Sequence, residues 1–206
     1  MFSALLDWIY PQKCGLCARF GADTICPSCL SEFSRCPELR AKCQAPLDFQ
    51  GSLFLHESRA AQAVRRLKYS RITSLVHPLA GMIRDGYESL SEEEWEAVVP
   101  IPIHWSRRSS RGFNQAECLC SALPRDLVRP RLLRRIRRTR PQVGLDQAHR
   151  ASNLRGAFRA SSEAVGLRIL LVDDVTTSGH TARECAQALK QAGAVSVGLL
   201  TLTAEI

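Results

Sequence analysis

With 206 residues, 45% of them hydrophobic and 23% charged, the chain has room for one large domain, or for one ordinary domain and a small appendage. That balance excludes three full domains, a wholly disordered chain and a coiled-coil rod. The formal net charge of +8 sits in one segment: residues 107–168 hold fifteen basic side chains against four acidic ones, and every basic one is arginine. Arginine stays charged at any cellular pH and its planar fork meets phosphate at two points. The segment therefore points to a polyanionic partner, with a solvated basic surface as the alternative. No apolar run reaches the roughly 18 residues of a membrane helix, and the apolar opening Phe2–Tyr10 contains Asp7 and lacks a basic leader. A cytoplasmic protein without membrane insertion is expected.

In chain order the cysteines come first, six of nine preceding residue 44. Cys14-Gly15-Leu16-Cys17 and Cys26-Pro27-Ser28-Cys29 are two pairs separated by eight residues. Two residues between cysteines let both thiolates of a tight turn face one ion, and two such turns complete a tetrahedral four-sulfur shell. Cys14, Cys17, Cys26 and Cys29 are expected to hold a structural zinc in a compact ribbon, with a redox dithiol or unligated thiols as the alternatives; no thioredoxin-like strand and helix pattern surrounds either pair. An odd cysteine count without an export signal argues against a disulfide framework. Cys36 and Cys43 do not make a further pair of this kind. Cys118, Cys120 and Cys185 fall in apolar helical patterns, where cysteine acts as a small core hydrophobe. The expected division is a ribbon segment over 1–47 and a main domain over 48–206.

Ser58 is placed to cap a helix with apolar positions Ala61, Val64 and Leu67, ending near Lys68 and Tyr69. Leu75, Val76, Leu79, Met82 and Ile83 form the stripe of a second helix, with Gly86 near its end. The acidic run Glu92–Glu94 reads as a solvated loop or a helix start. Ala97–Val99 reads as a short buried strand that leaves its sheet at Pro100 and Pro102, because proline cannot donate within a central ladder. A loop with Arg107, Arg108 and Arg111 follows, and Gly112–Gln115 opens a helix through Ala116, Leu119 and Leu123. Residues 129–160 hold most of the remaining arginines and read as an excursion from the core. Leu167–Val172 and Val195–Leu202 are nearly continuous apolar runs on either side of a helix over Thr181–Gln191 that ends at Gly193. This is a β-α-β unit of a parallel sheet covered on both faces, and the fold class is α/β.

Between that strand and that helix stands Asp173-Asp174-Val175-Thr176-Thr177-Ser178-Gly179-His180-Thr181. In open parallel sheets ligands bind beyond the carboxyl ends of the strands, and the next helix presents unpaired N–H groups that suit a phosphate. Gly179 permits a tight turn around an anion, while Thr177, Ser178 and Thr181 offer hydroxyls to it. Two consecutive carboxylates can accept hydrogen bonds from a sugar diol or hold a hydrated Mg²⁺ that the sugar and its phosphates also touch. The plainer reading, an ordinary turn with solvated aspartates, accounts for one capping hydroxyl and leaves the others without a task.

The string Ile169-Leu170-Leu171-Val172-Asp173-Asp174-Val175-Thr176-Thr177-Ser178-Gly179-His180-Thr181 resembles the signature of type I phosphoribosyltransferases, which bind 5-phosphoribosyl 1-diphosphate (PRPP). More narrowly, the chain resembles the ComF/GntX family associated with DNA uptake and competence. The resemblance rests on the early cysteine pairs, Arg66-Leu67-Lys68-Tyr69, Val99-Pro100-Ile101-Pro102, Arg111-Gly112-Phe113-Asn114-Gln115, and Arg138-Thr139 followed by Gln142, Leu145, Arg150, Asn153 and Gly156-Ala157-Phe158. It implies a type I phosphoribosyltransferase fold, a parallel sheet flanked by helices with a mobile hood, plus a small N-terminal zinc ribbon. It implies that Asp173 and Asp174 meet the ribose hydroxyls of PRPP bound with magnesium, and that Thr176, Thr177, Ser178, Gly179, His180 and Thr181 complete the site, Thr177 to Thr181 cradling the 5′-phosphate. Pro100, Ile101 and Pro102, within the turn to His104, would match the pyrophosphate loop, with Arg107, Arg108 and Arg111 contributing from that loop and the hood. The family carries two successive pairs of zinc knuckles; here Leu39 stands where the partner of Cys36 would be, so one zinc is expected.

Three functions of different class follow. The first is a phosphoribosyltransferase acting on PRPP and an unassigned acceptor, with no catalytic base identified. The second is a non-catalytic PRPP or nucleotide sensor serving DNA uptake. The third is a module that grips single-stranded DNA through its phosphates with the ribbon and the arginines, alongside the DNA-uptake machinery. Only 6% of residues are aromatic, so stacking platforms are scarce and sequence-specific recognition is not expected.

Overall fold

The computed structural model describes residues 12–21, 23–39, 43–70, 73–90, 94–137 and 154–205. Six strands are found among them: β1 (Phe49–Leu55), β2 (Ala97–Pro100), β3 (Leu133–Arg135), β4 (Phe158–Ala160), β5 (Arg168–Thr176) and β6 (Ser196–Ala204). The helices that matter here are α1 (Pro27–Leu30), α2 (Ser58–Arg65), α3 (Val76–Glu88), α4 (Trp105–Arg111), α5 (Gln115–Leu119) and α6 (His180–Gln191). Four strands form one all-parallel sheet in the order β1-β6-β5-β2, while β3 and β4 pair antiparallel as a separate ribbon.

The continuous apolar runs of β5 and β6 are explained by burial on both faces. Leu170, Val172, Leu200 and Leu202 face a core shared with Leu67, Leu79 and Ile83, residues of α2's continuation and of α3. Ile169, Leu171, Val197 and Leu199 face the opposite core, shared with Leu133, Cys185 and Leu189. Cys14, Leu16 and Ile25 are buried in the first of these cores. The cysteine-bearing segment is also bonded to β1, where the Leu55 N–H donates to the Ser34 carbonyl (2.8 Å) and the Cys36 N–H to the Leu53 carbonyl (3.0 Å).

Several local expectations are corrected. Phe49–Leu55 gives little apolar signal because of Gln50, Gly51 and Ser52, yet it is a strand: the Ser52 hydroxyl is buried against the Thr201 hydroxyl at 2.7 Å, so the polar residue is satisfied inside the sheet. β5 runs four residues past Val172, because β6 keeps pairing with it as far as Thr176 against Ala204. The stretch after Pro102 is not all loop. His104 accepts from the Ser106 N–H at 3.2 Å and starts α4, which ends at Gly112 with φ of +87° before Asn114 caps α5. Ser58 is the first residue of α2 and supplies no side-chain cap. The helix then widens into a π turn over Arg66–Ser70. Within the arginine-rich excursion the β3–β4 ribbon is observed, and 138–153 lies outside the described residues. No helix among the described residues is long and apolar enough to cross a membrane.

Gly198 lies in β6 directly under an indole. A Cβ there would come within 2.6 Å of Trp95 Cη2 and 3.1 Å of Leu170 Cδ1. Gly198→Ala is expected to destabilise the fold by about 1–3 kcal/mol through overpacking, read as a lowered denaturant midpoint, and Trp95→Phe in the same chain should recover part of that loss.

Candidate functional site

The carboxyl edge of the parallel sheet brings together β5, the loop after it, the turn after β2 and the π turn that continues α2. The Ile101 N–H donates to the Val172 carbonyl (2.9 Å), so the Pro100-Ile101-Pro102 turn lies beside the start of the acid pair. That turn is itself held by Asn114, whose Nδ2 donates to the Ile101 carbonyl at 3.1 Å. On the other side, the Thr203 hydroxyl donates to the Asp174 carbonyl at 3.2 Å and the Glu205 N–H to the Thr176 carbonyl at 2.9 Å. Both carboxylates are therefore strand residues, fixed along β6 by the β5–β6 ladder, while on the other side the β2 ladder ends at Val172. They are not loop residues.

The two acids differ in environment. Asp174 is 4% exposed, and Lys68 Nζ stands 2.9 Å from its Oδ1, the Lys68 side chain itself being mostly enclosed. Asp173 is half-buried and its Oδ1 accepts from the Asp174 N–H at 2.8 Å. Burial first, and then the adjacent Asp174 charge, push the Asp173 carboxyl up to about 7, against the opposing pull of Lys68, the Asp174 N–H and Arg135. Lys68 was legible only as part of a family string with no role; the π turn that carries it has no sequence signal of its own.

Beyond the strand, Thr177 is exposed, whereas Ser178, Gly179, His180 and Thr181 are half-buried. Gly179 has φ of +68° and begins α6, and a Cβ on it would meet Arg183 Nη1 at 3.1 Å. His180 Nδ1 lies 2.8 Å from Arg183 Nη2. The Thr176 hydroxyl is buried and has no hydrogen-bond partner among the described residues. Leaving such a group unsatisfied costs about 1–3 kcal/mol, a cost that a bound ligand or water at this edge removes.

Not every sequence-predicted residue joins this edge. Arg108 is exposed and pairs with Glu117 (2.8 Å), tying α4 to α5. The side chains of Arg107 and Arg111, and the segment holding Arg138, Thr139, Gln142, Leu145, Arg150 and Asn153, lie outside the described residues.

A second site lies in the N-terminal segment. The four sulfurs of Cys14, Cys17, Cys26 and Cys29 all lie within 4.8 Å of one another, with Cys17 Sγ and Cys26 Sγ at 3.7 Å. A tetrahedral shell with metal–sulfur bonds of about 2.3 Å needs sulfurs about 3.8 Å apart, so the set fits a metal ion. Burial opposes ionisation of Cys14, but backbone N–H groups outweigh it, those of Leu16 and Cys26 each lying 3.4 Å from its sulfur, and hold the thiol down at about 6. Burial and the neighbouring sulfurs push Cys29 up to about 12. Cys36 and Cys43 are not part of the cluster.

Comparison with known proteins agrees with this arrangement. Residues 110–205 match the family model described as the phosphoribosyl transferase domain. The chain is 31% identical over 197 residues to the DNA utilization protein YhgH of Salmonella typhimurium, covering 89% of this chain and 86% of that one. Competence protein F of Haemophilus influenzae is 35% identical over 117 residues (54% of this chain, 51% of that one). Competence protein ComFC of Bacillus subtilis is 26% identical over 152 residues (73% and 62%). With a parallel sheet, a diacid at its carboxyl edge and a four-cysteine cluster packed against the same core, the chain belongs to the ComF family and has its phosphoribosyltransferase fold.

Proposed function

We propose that the protein binds PRPP with Mg²⁺ at the carboxyl edge of β5, and that this phosphoribosyltransferase-like site serves DNA uptake or DNA utilisation. The observation that supports the ligand most is the fixed pair Asp173-Asp174, set directly before a glycine-turned loop and the start of α6. The carboxylates accept from the ribose diol or hold the hydrated cation. The N–H groups at the start of α6, with Thr177, Ser178 and Thr181, take the 5′-phosphate. The Pro100–Pro102 turn meets the pyrophosphate, and Arg107 and Arg111 supply cations around it, Arg108 being held by Glu117. Lys68 neutralises Asp174 in the ligand-free protein, and it exchanges that contact for a ligand phosphate when diol or cation takes the carboxylate. Where an acceptor is present, ribose C1 would exchange its bond to pyrophosphate for one to the acceptor, and a cation held by the carboxylates, with the loop arginines, would meet the negative charge on the departing pyrophosphate. The printed names of the relatives are the support for the DNA role.

Calorimetric titration of PRPP tests this reading. Saturable, Mg²⁺-dependent binding is expected, weakened at least about 100-fold in the Asp173→Asn, Asp174→Asn chain, since two charge-assisted hydrogen bonds of about 1.5–3 kcal/mol each are lost. No binding to folded, metal-replete protein overturns it, and pyrophosphate release in an acceptor screen separates an enzyme from a sensor.

The four-cysteine cluster is proposed to hold zinc, with a structural role. Metal analysis is expected to give about one zinc per chain. Cys26→Ser should lose the metal and lower the unfolding midpoint, while Cys36→Ser should keep both.

One observation favours single-stranded DNA as an additional ligand. Arg134 and Arg159 stand directly opposite each other on β3 and β4, both exposed and without an acidic partner among the described residues. Opposed like charges cost about 0.2–1 kcal/mol, and a phosphate backbone across the ribbon relieves that. Replacing both by alanine should weaken binding of an oligonucleotide and reduce the slope of log affinity against log salt by about 1.4; an unchanged slope removes this ribbon from the DNA reading.

A further inference from the structure

Arg66 connects the two sites. Its Nη1 donates to the Gly15 carbonyl at 2.6 Å, in the middle of the first cysteine turn. That turn has little freedom: the Gly15 N–H donates to the Thr24 carbonyl (2.7 Å), and a Cβ on Gly15 would come within 2.7 Å of Leu75 Cδ2. Cys14 and Leu16, on either side, are each 1% exposed. Arg66 is also the first residue of the π turn Arg66–Ser70, two positions before Lys68. A π turn closes its hydrogen bonds over one more residue than an α-helix, so it rotates every following side chain about the axis. With Leu67 fully buried in the core that also holds Cys14, Cys26 and Cys29, the direction of Lys68 depends on this turn keeping its extra residue.

We propose that Arg66 is a positioning residue. By gripping the Cys14–Cys17 turn it holds the π turn that delivers Lys68 to Asp174, so that the condition of the four-cysteine cluster sets how well the diacid edge takes its ligand. The ligand half of this statement rests on the PRPP reading; the mechanical half does not. If Lys68 were directed by its attraction to Asp174 alone, Arg66 would affect stability without affecting the acid pair in any way specific to Lys68.

The test uses the full, zinc-loaded chain and two readouts. Hydrogen exchange of peptides spanning 66–70 is expected to quicken about tenfold in Arg66→Met, with 168–176 unchanged, and Arg66→Lys should restore most of the protection because it keeps a donor for the Gly15 carbonyl. Stripping zinc from the unmodified chain should quicken the same peptides, and adding zinc back should reverse it, which decides the matter even where Arg66→Met fails to fold. In PRPP titrations, Arg66→Met and Lys68→Met should each weaken affinity about tenfold, as loss of one charged hydrogen bond does, and the double variant should bind no more weakly than Lys68→Met. Unchanged exchange at 66–70 with zinc retained, no response to zinc removal, or fully additive losses of affinity overturns the proposal. If the unmodified chain does not take PRPP, the exchange measurements alone judge the coupling and the PRPP reading falls separately.

Discussion

A carboxylate that is 4% exposed at the end of a central strand must have a cation beside it, and Asp174 imposes that demand on the whole molecule. Transfer of such a charge out of water costs several kcal/mol, and a pair stands only with good geometry and further hydrogen bonds. Lys68 supplies the charge at 2.9 Å. Lys68 comes from a helix that must break α geometry to reach, and that helix packs against the cysteine-bearing segment. The cysteine-bearing segment and the sheet edge thus meet through one helix and its π turn, Arg66 bonding the first and Lys68 pairing with the second. Beside that pair, Asp173 has its carboxyl pKa raised first by burial and then by the adjacent Asp174 charge, which the pull of Lys68 only partly offsets.

The β5-α6-β6 unit was readable from the chain because burial on both sheet faces demands uninterrupted apolar runs, and Ile169–Val172 and Val197–Leu200 supply them. That the four cysteines converge was readable because two residues between the members of each pair bring their sulfurs to one side of a tight turn. What escaped was what tertiary partners decide. Ser52 sits in β1 only because Thr201 meets it, a contact across 149 positions that no local pattern announces. The length of β5 depended on β6 continuing alongside, so acids expected in a turn are held in a ladder. Lys68 looked like the last residue of an ordinary amphipathic helix, and a widened turn gave it a different direction.

The arginine excess resolves into unlike parts. Arg135 lies over the Phe158 ring at 5.3 Å, and Arg108 is spent on Glu117. Arg134 and Arg159 face outward together without compensation among the described residues. A count of charge locates a basic segment; only the pairing shows which of its members are free to meet an anion.

The sheet ends in an unusual way at both sides. Along the C-terminal half of β1 the Ser34–Cys36 stretch occupies the outer backbone groups, bridging Arg35 to Phe54 antiparallel. Along β2, the Val98 N–H donates to the Leu127 carbonyl and the Arg129 N–H to the Val98 carbonyl, both at 2.8 Å. Open sheet edges recruit foreign strands, and here both are taken where they would be most inviting. The cysteine-bearing segment thus doubles as an edge guard: a chain that loses its hold there uncovers a strand ready to pair with its neighbours, so the first symptom of damage to that segment would be self-association.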